Sequence, residues 1–461
     1  MATSGYGSRA RRQRRAELTD RMQYSEIEGL EFTSREFDPD SGELRLRWRL
    51  LGKDRSLALE ESFGFGHAAG KVPSEHPSFQ AALDLLHWIA GVSYWKVACR
   101  GKVRFAAGCP DAFQADALAR IYQHGLAEMA WRNQLQGRYW PGFEAPEPTG
   151  CTEAPALGLE PRALVPMGGG KDSLVALERV RARGITAETV QVGSAPLIGR
   201  VAERAGTRHH VIRRRLAPEL AALNAAGALN GHVPITAINA AALVVAALHW
   251  DFDAVVFGNE RSADTPTMIT PDGQSINHQF AKSYAFEQSL GQWIERYIAD
   301  DLAVFSLLRR DSELGVCREF AALTSYHDVF SSCNRNFHLE GPRTTRWCGE
   351  CPKCQFVFLA MAPFMDVERM RAIFHRDLLA EAGQSDAFAA LLELDGPRPF
   401  ECVGEAGEAR AALGALAADA RWYDHAVVRE LALRMHGIQA PDLETVLGPA
   451  GPDRIPERFR P

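Results

Sequence analysis

Polar and apolar positions alternate along residues 24 to 68, most plainly in Glu43-Leu44-Arg45-Leu46-Arg47-Trp48-Arg49-Leu50, ahead of the charged turn Gly52-Lys53-Asp54. Period two is the repeat of a pleated strand, so this stretch predicts an antiparallel sheet. From Phe79 to Trp95, and again from Asp111 to Leu135, the apolar spacing becomes helical. Pro141 to Gly150, rich in proline and glycine, reads as a linker. An α+β N-terminal domain over residues 21–155 is the expectation, with substrate recognition as a candidate role.

The pattern then changes. Short apolar strands at Ala163 to Met167, Thr189 to Val192 and Ala254 to Phe257 are separated by helical segments Ser173 to Arg183, Leu197 to Ala205 and Ile235 to Trp250, with His209 to Ile212 as a further strand. Such alternation predicts an α/β domain over residues 156–362, a parallel sheet with helices on both faces. Ligands of such sheets bind beyond the carboxyl ends of the strands. Residues 363–461 read as helical through Asp366 to Ala382 and Glu408 to Met435, then as a tail from Gly448. They carry no motif with interpretable chemistry, and the chain has no internal repeat.

Composition narrows the function classes. With 461 residues, 46% apolar and 24% charged, the chain reads as soluble, with two or three domains. The net charge of -6 offers a polyanion no global attraction, which favours a small-molecule substrate over nucleic acid. Arg9, Arg11, Arg12, Arg14 and Arg15 are followed by Glu17 and Asp20 rather than an apolar stretch, so residues 1–20 read as a disordered basic arm and not a secretory signal. The apolar run Ile235 to Trp250 is shorter than the roughly 20 residues that span a bilayer, and no membrane segment is expected. Nine cysteines, an odd number, argue against a disulfide framework and for a reducing cytoplasm.

The candidate chemistry lies in two short motifs. The first strand runs into Gly168-Gly169-Gly170-Lys171-Asp172-Ser173, after which a helix begins. Glycines let the backbone turn tightly and bring bare N–H groups to an anion, and a helix start adds unpaired donors and partial positive charge, so a phosphate is favoured there. Asp172 interrupts the Gly-Lys-Ser/Thr order of a Walker loop, and Ser173 stands where a dinucleotide fingerprint needs Gly or Ala. In the second motif, Cys333 precedes Cys348-Gly-Glu-Cys351-Pro-Lys-Cys354. Four thiolates suit a closed tetrahedral Zn²⁺ site, which would fold the loop around Arg343 to Arg346 rather than do chemistry; an iron–sulfur cluster is the alternative.

The glycine loop resembles the Ser-Gly-Gly-x-Asp-Ser loop of the PP-loop ATP pyrophosphatases, with Gly168 in place of the first Ser. The resemblance implies that Lys171, Ser173 and the amides of 169 to 172 hold the β- and γ-phosphates, that Asp172 lies near Mg²⁺, and that Val192 and Gly193 hold adenine. Gly258-Asn259-Glu260 is similar to the later nucleotide-side loop of that superfamily. Over nearly the whole chain, including Asn230-Gly-His-Val-Pro-Ile-Thr-Ala237, Gly258-Asn-Glu-Arg-Ser-Ala263, Asn277-His-Gln-Phe-Ala-Lys-Ser283 and Trp347-Cys-Gly-Glu-Cys-Pro-Lys-Cys354, the sequence resembles the bacterial UDP-N-acetylmuramoyl-L-alanyl-L-glutamate epimerases.

That family implies adenylation of the α-carboxylate of the terminal L-glutamate with ATP and Mg²⁺, inversion at Cα, and hydrolysis to the D-glutamate peptide used for peptidoglycan, with release of AMP and pyrophosphate. Inversion needs a base on one face of Cα and an acid on the other. His232 and His278 are the candidates, with Cys317 and Glu260 in reserve. Arg261, Lys282, Arg343 and Arg346 are candidates for the substrate's carboxylates or diphosphate. Two other readings are a PP-loop enzyme that modifies a nucleobase or tRNA, of deazaguanine-synthase or thiolase kind, and a non-enzymatic adenine-nucleotide scaffold.

Overall fold

The computed structural model describes residues 24–68, 70–145, 153–337 and 346–460. The basic arm, most of the linker's second half and Arg343 lie outside the described residues. The chain forms two compact units. One comprises residues up to Leu159 together with Ile212–Asp251 and Gln292–Leu302; the other comprises Glu160–Val211, Phe252–Gly291 and Ala303–Pro461.

In the first unit, strands β1 (Ile27–Asp38), β2 (Glu43–Gly52), β3 (Ser56–Gly64) and β4 (Lys102–Phe105) lie in the order β3-β2-β1-β4. β1, β2 and β3 are antiparallel, with Phe32 opposite Trp48 and Trp48 opposite Leu59, while β4 runs parallel to β1. Leu44, Leu46, Trp48 and Leu50 are buried. The arginines between them form a ladder of ion pairs: Arg47 with Glu36 at 2.5 Å and Glu60 at 2.7 Å, and Arg49 with Glu31 at 2.7 Å. The alternation thus places leucines in the core and arginines on the wetter face. β4 went unrecognised because its four residues, Lys-Val-Arg-Phe, include no continuous apolar run and only one buried side chain.

Helix Ile235–Trp250 belongs to this unit, where it packs on helix Pro77–Ala90. It is apolar on almost every side because it is buried on almost every side, from Ala237 to Trp250 with few exceptions. The compact units are therefore discontinuous in sequence, unlike the contiguous 21–155 and 156–362 division expected from the linker. Burying this helix draws residues 212–251 away from their sequence neighbours.

The second unit contains β5 (Ala163–Pro166), β6 (Ala187–Val192), the first residues of β7 (His209–Arg215), β8 (Ala254–Phe257) and, as a further pair, β9 (Met268–Ile269) with β10 (Ser275–Ile276), before β11 (Ala303–Ser306). The order β11-β8-β5-β6 is parallel throughout, with Val165 beside Thr189 and Val256 beside Phe305. β7 crosses the division at Val211, and its residues 213–215 pair antiparallel with β3. Helices Lys171–Ala182 and Pro196–Ala205 return between the parallel strands. The α/β class and the parallel sheet agree with the pattern in the sequence.

Beyond residue 363 the helices are shorter than their periodicity predicts. Val367–Phe374 stops at His375, whose φ of 58° closes the helix in the left-handed region, and the run Glu408 to Met435 divides into Ala406–Ala417 and Ala426–Arg434. Trp422, buried between the two, belongs to the same core as Val165, Leu174, Phe305 and Phe356. The C-terminal helices therefore complete the core of the parallel-sheet unit. Among the described residues no helix is long and apolar enough to cross a membrane.

Candidate functional site

β5 leads into Gly168, Gly169 and Gly170, and the helix begins at Lys171, two residues earlier than the spacing predicts, with Gly170 as its extended N-cap. Lys171, Asp172 and Ser173 thus form the first helical turn, where the amide donors lack partners within the helix. Gly169 has φ of +79°, a region L side chains rarely adopt, and its carbonyl accepts from the Ser331 amide at 2.9 Å. Ser173 Oγ donates to the Gly170 carbonyl at 3.2 Å. Gly258, at the end of β8, lies against this turn so closely that a Cβ would sit 2.6 Å from the Asp172 carbonyl oxygen. The two loops singled out in the sequence are therefore in contact.

Lys171 is fully buried, and its ammonium is bonded to the carboxylates of Asp172 and Glu313. Glu313 also receives Lys353 Nζ at 3.3 Å. Burial opposes charge on Lys171, but its two carboxylate partners hold it protonated. Burial likewise opposes charge on Glu313, yet Lys171 and Lys353 pull its carboxyl down to about 2. Glu260, equally buried, makes no ion pair among the described residues and is pushed up to about 7 by burial and by the charge of Glu313, even though the Ser262 amide donates to it at 2.6 Å and Lys171 opposes the shift. Cys317 lies in this cluster, where burial raises its thiol well above the ordinary range. It is a neutral packing group at neutral pH rather than a ready base.

A second group adjoins the first. Lys282 Nζ lies 3.3 Å from Cys402 Sγ, and the fields of Asp172 and Glu260 also reach this ammonium. His278 hydrogen-bonds the same sulfur. The 277–283 segment is held by Gln279 Nε2, which donates to the Val403 carbonyl at 3.3 Å. The 401–404 segment is held by buried Arg398, which donates to the Gly404 carbonyl at 2.6 Å and the Pro266 carbonyl at 2.9 Å.

The other residues read from the sequence are placed as follows. Arg261 donates to the carbonyls of Val446 and Gly448, both at 2.5 Å. Arg346 donates to those of His327 and Phe330 at 3.1 and 3.2 Å. Both positions favour a role in holding the chain rather than an anionic ligand. Asn259 presents its carbonyl to Ser306 Oγ at 2.5 Å. Val192 ends β6, and Gly193 follows with φ of 96° and its carbonyl on Gln191 Nε2. His232 belongs to the first unit, on the loop ahead of helix Ile235–Trp250, whereas His278 belongs to the second.

The sulfurs of Cys333, Cys348, Cys351 and Cys354 all lie within 4.8 Å of one another. Their separations include 4.0 Å for Cys333 to Cys351, 3.7 Å for Cys348 to Cys354 and 3.4 Å for Cys351 to Cys354. Tetrahedral ligation at the usual Zn–S length sets sulfurs about 3.8 Å apart, so the donor set fits the ion. The amides of Glu350 and Cys351 point at Cys348 Sγ, and that of Cys354 at Cys351 Sγ, an arrangement that stabilises thiolates. Lys353, between two of these cysteines, reaches Glu313 and through it Lys171. The cysteine loop and the glycine loop thus share one buried carboxylate.

Glu313, Lys353 and Cys402 were not singled out in the sequence. Lys353 lies inside the cysteine motif, where its ordinary reading is a spacer. Glu313 and Cys402 stand in no local pattern; Glu313 is 142 positions from Lys171.

Comparison with known proteins bears on the family of the chain. Residues 21–307 match the MurL N-terminal domain and residues 329–445 the MurL C-terminal domain. A UDP-N-acetyl-alpha-D-muramoyl-L-alanyl-L-glutamate epimerase of Xanthomonas oryzae pv. oryzae is 47% identical over 381 residues, covering 82% of this chain and 84% of that one. Proteins of the same name from Salinispora tropica and a Micromonospora species are 38% and 39% identical, each covering 95% of this chain and 96% and 98% of their own.

Proposed function

The chain belongs to the MurL family of UDP-N-acetyl-alpha-D-muramoyl-L-alanyl-L-glutamate epimerases, and on that premise we propose that it inverts the terminal L-glutamate of its UDP-muramoyl dipeptide through an acyl-adenylate made from ATP. The observation that carries the ATP step is the buried Lys171 ammonium on the first turn of a helix that opens from three glycines, in the manner of a PP-loop domain. In this reading the amides of 169 to 172 and Ser173 bind phosphate oxygens, Lys171 faces their charge, and the ends of β6 and β8 border the nucleotide, with Val192 and Gly193 at adenine.

Asp172 and Glu260 are the carboxylates suited to Mg²⁺. Glu260 is raised to about 7 by burial and by Glu313, with a smaller contribution from Asp172, an excess of negative charge that a cation would relieve. Mg²⁺ would neutralise phosphate charge as the α-carboxylate attacks. The four cysteines would hold a structural Zn²⁺, and a set of four protein ligands would leave that ion no reacting position.

Activation precedes inversion for a physical reason. A free carboxylate strongly disfavours a carbanion at its own α-carbon, whereas a neutral acyl-adenylate delocalises the pair as an enolate. Lys282, whose pKa is raised by Cys402, keeps a cation beside that sulfur and near the loop. Water then cleaves the adenylate, and the free energy of ATP drives the sequence forward.

The test is incubation of the protein with ATP, Mg²⁺ and UDP-N-acetylmuramoyl-L-Ala-L-Glu, followed by assay of pyrophosphate, AMP and the chirality of glutamate after acid hydrolysis. The expected products are AMP, pyrophosphate and D-glutamate. AMP with only L-glutamate would refute the epimerase reading, and neither product would redirect attention to the base-modifying PP-loop enzymes.

A further inference from the structure

We propose that Cys402 is a catalytic acid/base of the inversion, its sulfur moving a proton to or from Cα while Lys282 and His278 hold it in the thiolate form. The proposal rests on the acyl-adenylate reading for the acidity of Cα. Its own basis is the placement of the sulfur.

Outside the four-cysteine cluster, the described cysteines are Cys99, Cys109, Cys317 and Cys402. Cys99 and Cys317 are buried, and burial raises their thiols. Cys109 is exposed. Cys402 alone among these is half-buried with a lysine ammonium 3.3 Å from its sulfur and a histidine hydrogen-bonded to it. Burial opposes its ionisation, but Lys282 and His278 outweigh that and bring the thiol to about 6. Glu401 and Lys353 are the other charged groups near it, and their signs oppose.

The sulfur is also tied to the phosphate-loop cluster, because Lys282 senses the charges of Asp172 and Glu260. Arg398 and Gln279 fix the two segments that bear the cysteine and the lysine. A thiolate suits this step: it is a base of near-neutral strength and returns to a neutral thiol without a charged product beside the nucleotide.

The step balances. The Cys402 thiolate takes the α-proton, the C–H bond breaks and an S–H bond forms, and the electron pair moves into the acyl-adenylate carbonyl as an enolate. A proton delivered from solvent or a second acid on the opposite face reforms a C–H bond with inverted configuration, and the thiol returns its proton through His278. In the opposite direction Cys402 donates instead. Lys282 and His278 act through the sulfur and are positioning residues.

The experiment uses the full chain with Cys402→Ala and Cys402→Ser, substrate, ATP and Mg²⁺ in D₂O, reading pyrophosphate, glutamate chirality and deuterium at Cα. Pyrophosphate formation persists in both variants, while inversion falls by roughly 10²–10⁴-fold. Deuterium entering L-glutamate without inversion assigns Cys402 to the face that donates to product; loss of deuterium as well assigns it to the face that deprotonates L-glutamate. Inversion at the wild-type rate, or pyrophosphate lost in step with inversion in both variants, overturns the proposal. Wild-type inversion without pyrophosphate would instead sink the activation reading, while the deuterium result still judged Cys402. Lys282→Met supplies a readout that packing alone would not move: the pH midpoint of iodoacetamide alkylation at Cys402 rises, and an unchanged midpoint counts against the thiolate.

Discussion

Two charged clusters, one in each unit, are arranged in opposite ways. On the antiparallel sheet of the first, Arg47 and Arg49 meet Glu36, Glu60 and Glu31 at the surface, with Arg47 a third exposed and Glu36 59% exposed. In the second, Lys171 and Glu313 are 0% and 4% exposed and are joined by Lys353 and by a carboxyl, Glu260, that has no dedicated cation. Exposed pairs contribute little and tolerate loss, whereas removing one partner of a buried pair leaves a charge without solvent. Buried charge gathered where the chain also bends through three glycines is the feature on which the proposed ATP step rests.

The sharpest break of this contrast is Glu313→Gln. It leaves Lys353 without its carboxylate and Lys171 with Asp172 alone, so urea unfolding shifts by about 3–5 kcal/mol and pyrophosphate formation is lost. If Glu313→Gln kept wild-type turnover, the buried cluster would be a structural ornament of the fold. Next in size is Cys348→Ser, which removes one ligand of the proposed Zn²⁺ site. Metal analysis then falls well below one ion per chain, stability drops by about 3 kcal/mol, and activation weakens because Lys353 loses its anchor beside Glu313.

A smaller, pH-dependent effect belongs to Glu260. Its folded carboxyl titrates near 7 against an ordinary 4.5, burial being the main cause. The stability this confers is complete below pH 4.5 and declines as the pH rises toward 7, since the unfolded chain ionises first. Glu260→Gln should flatten that decline in denaturant titrations without ATP or Mg²⁺; an unaltered slope would remove Glu260 from the cluster's electrostatics. The least effect is expected from Arg47→Ala, below about 1 kcal/mol, with activation unchanged. A large loss there would erase the distinction between the two clusters.

The sequence determined what depends on neighbours along the chain. Period-two leucines and arginines made β2, strand and helix alternation made the parallel sheet, three glycines before Lys171-Asp172-Ser173 made the turn into the helix, and the interval of three brought Cys348, Cys351 and Cys354 onto one knuckle. Each is a local consequence of backbone geometry. β4 and β11 escaped although β5 and β8, equally short, were read, and helix Ile235–Trp250 was read as an element but not as part of the first unit. Only the tertiary structure decided that Glu313 and Lys353 meet at Lys171, that Gly258 lies against Asp172, that Arg261 and Arg346 are committed to backbone carbonyls, and that Cys402 faces Lys282. Those pairs are far apart in the chain, and no periodicity encodes them; they follow from how the core packs, which sets the distance and the dielectric that give each charged group its character.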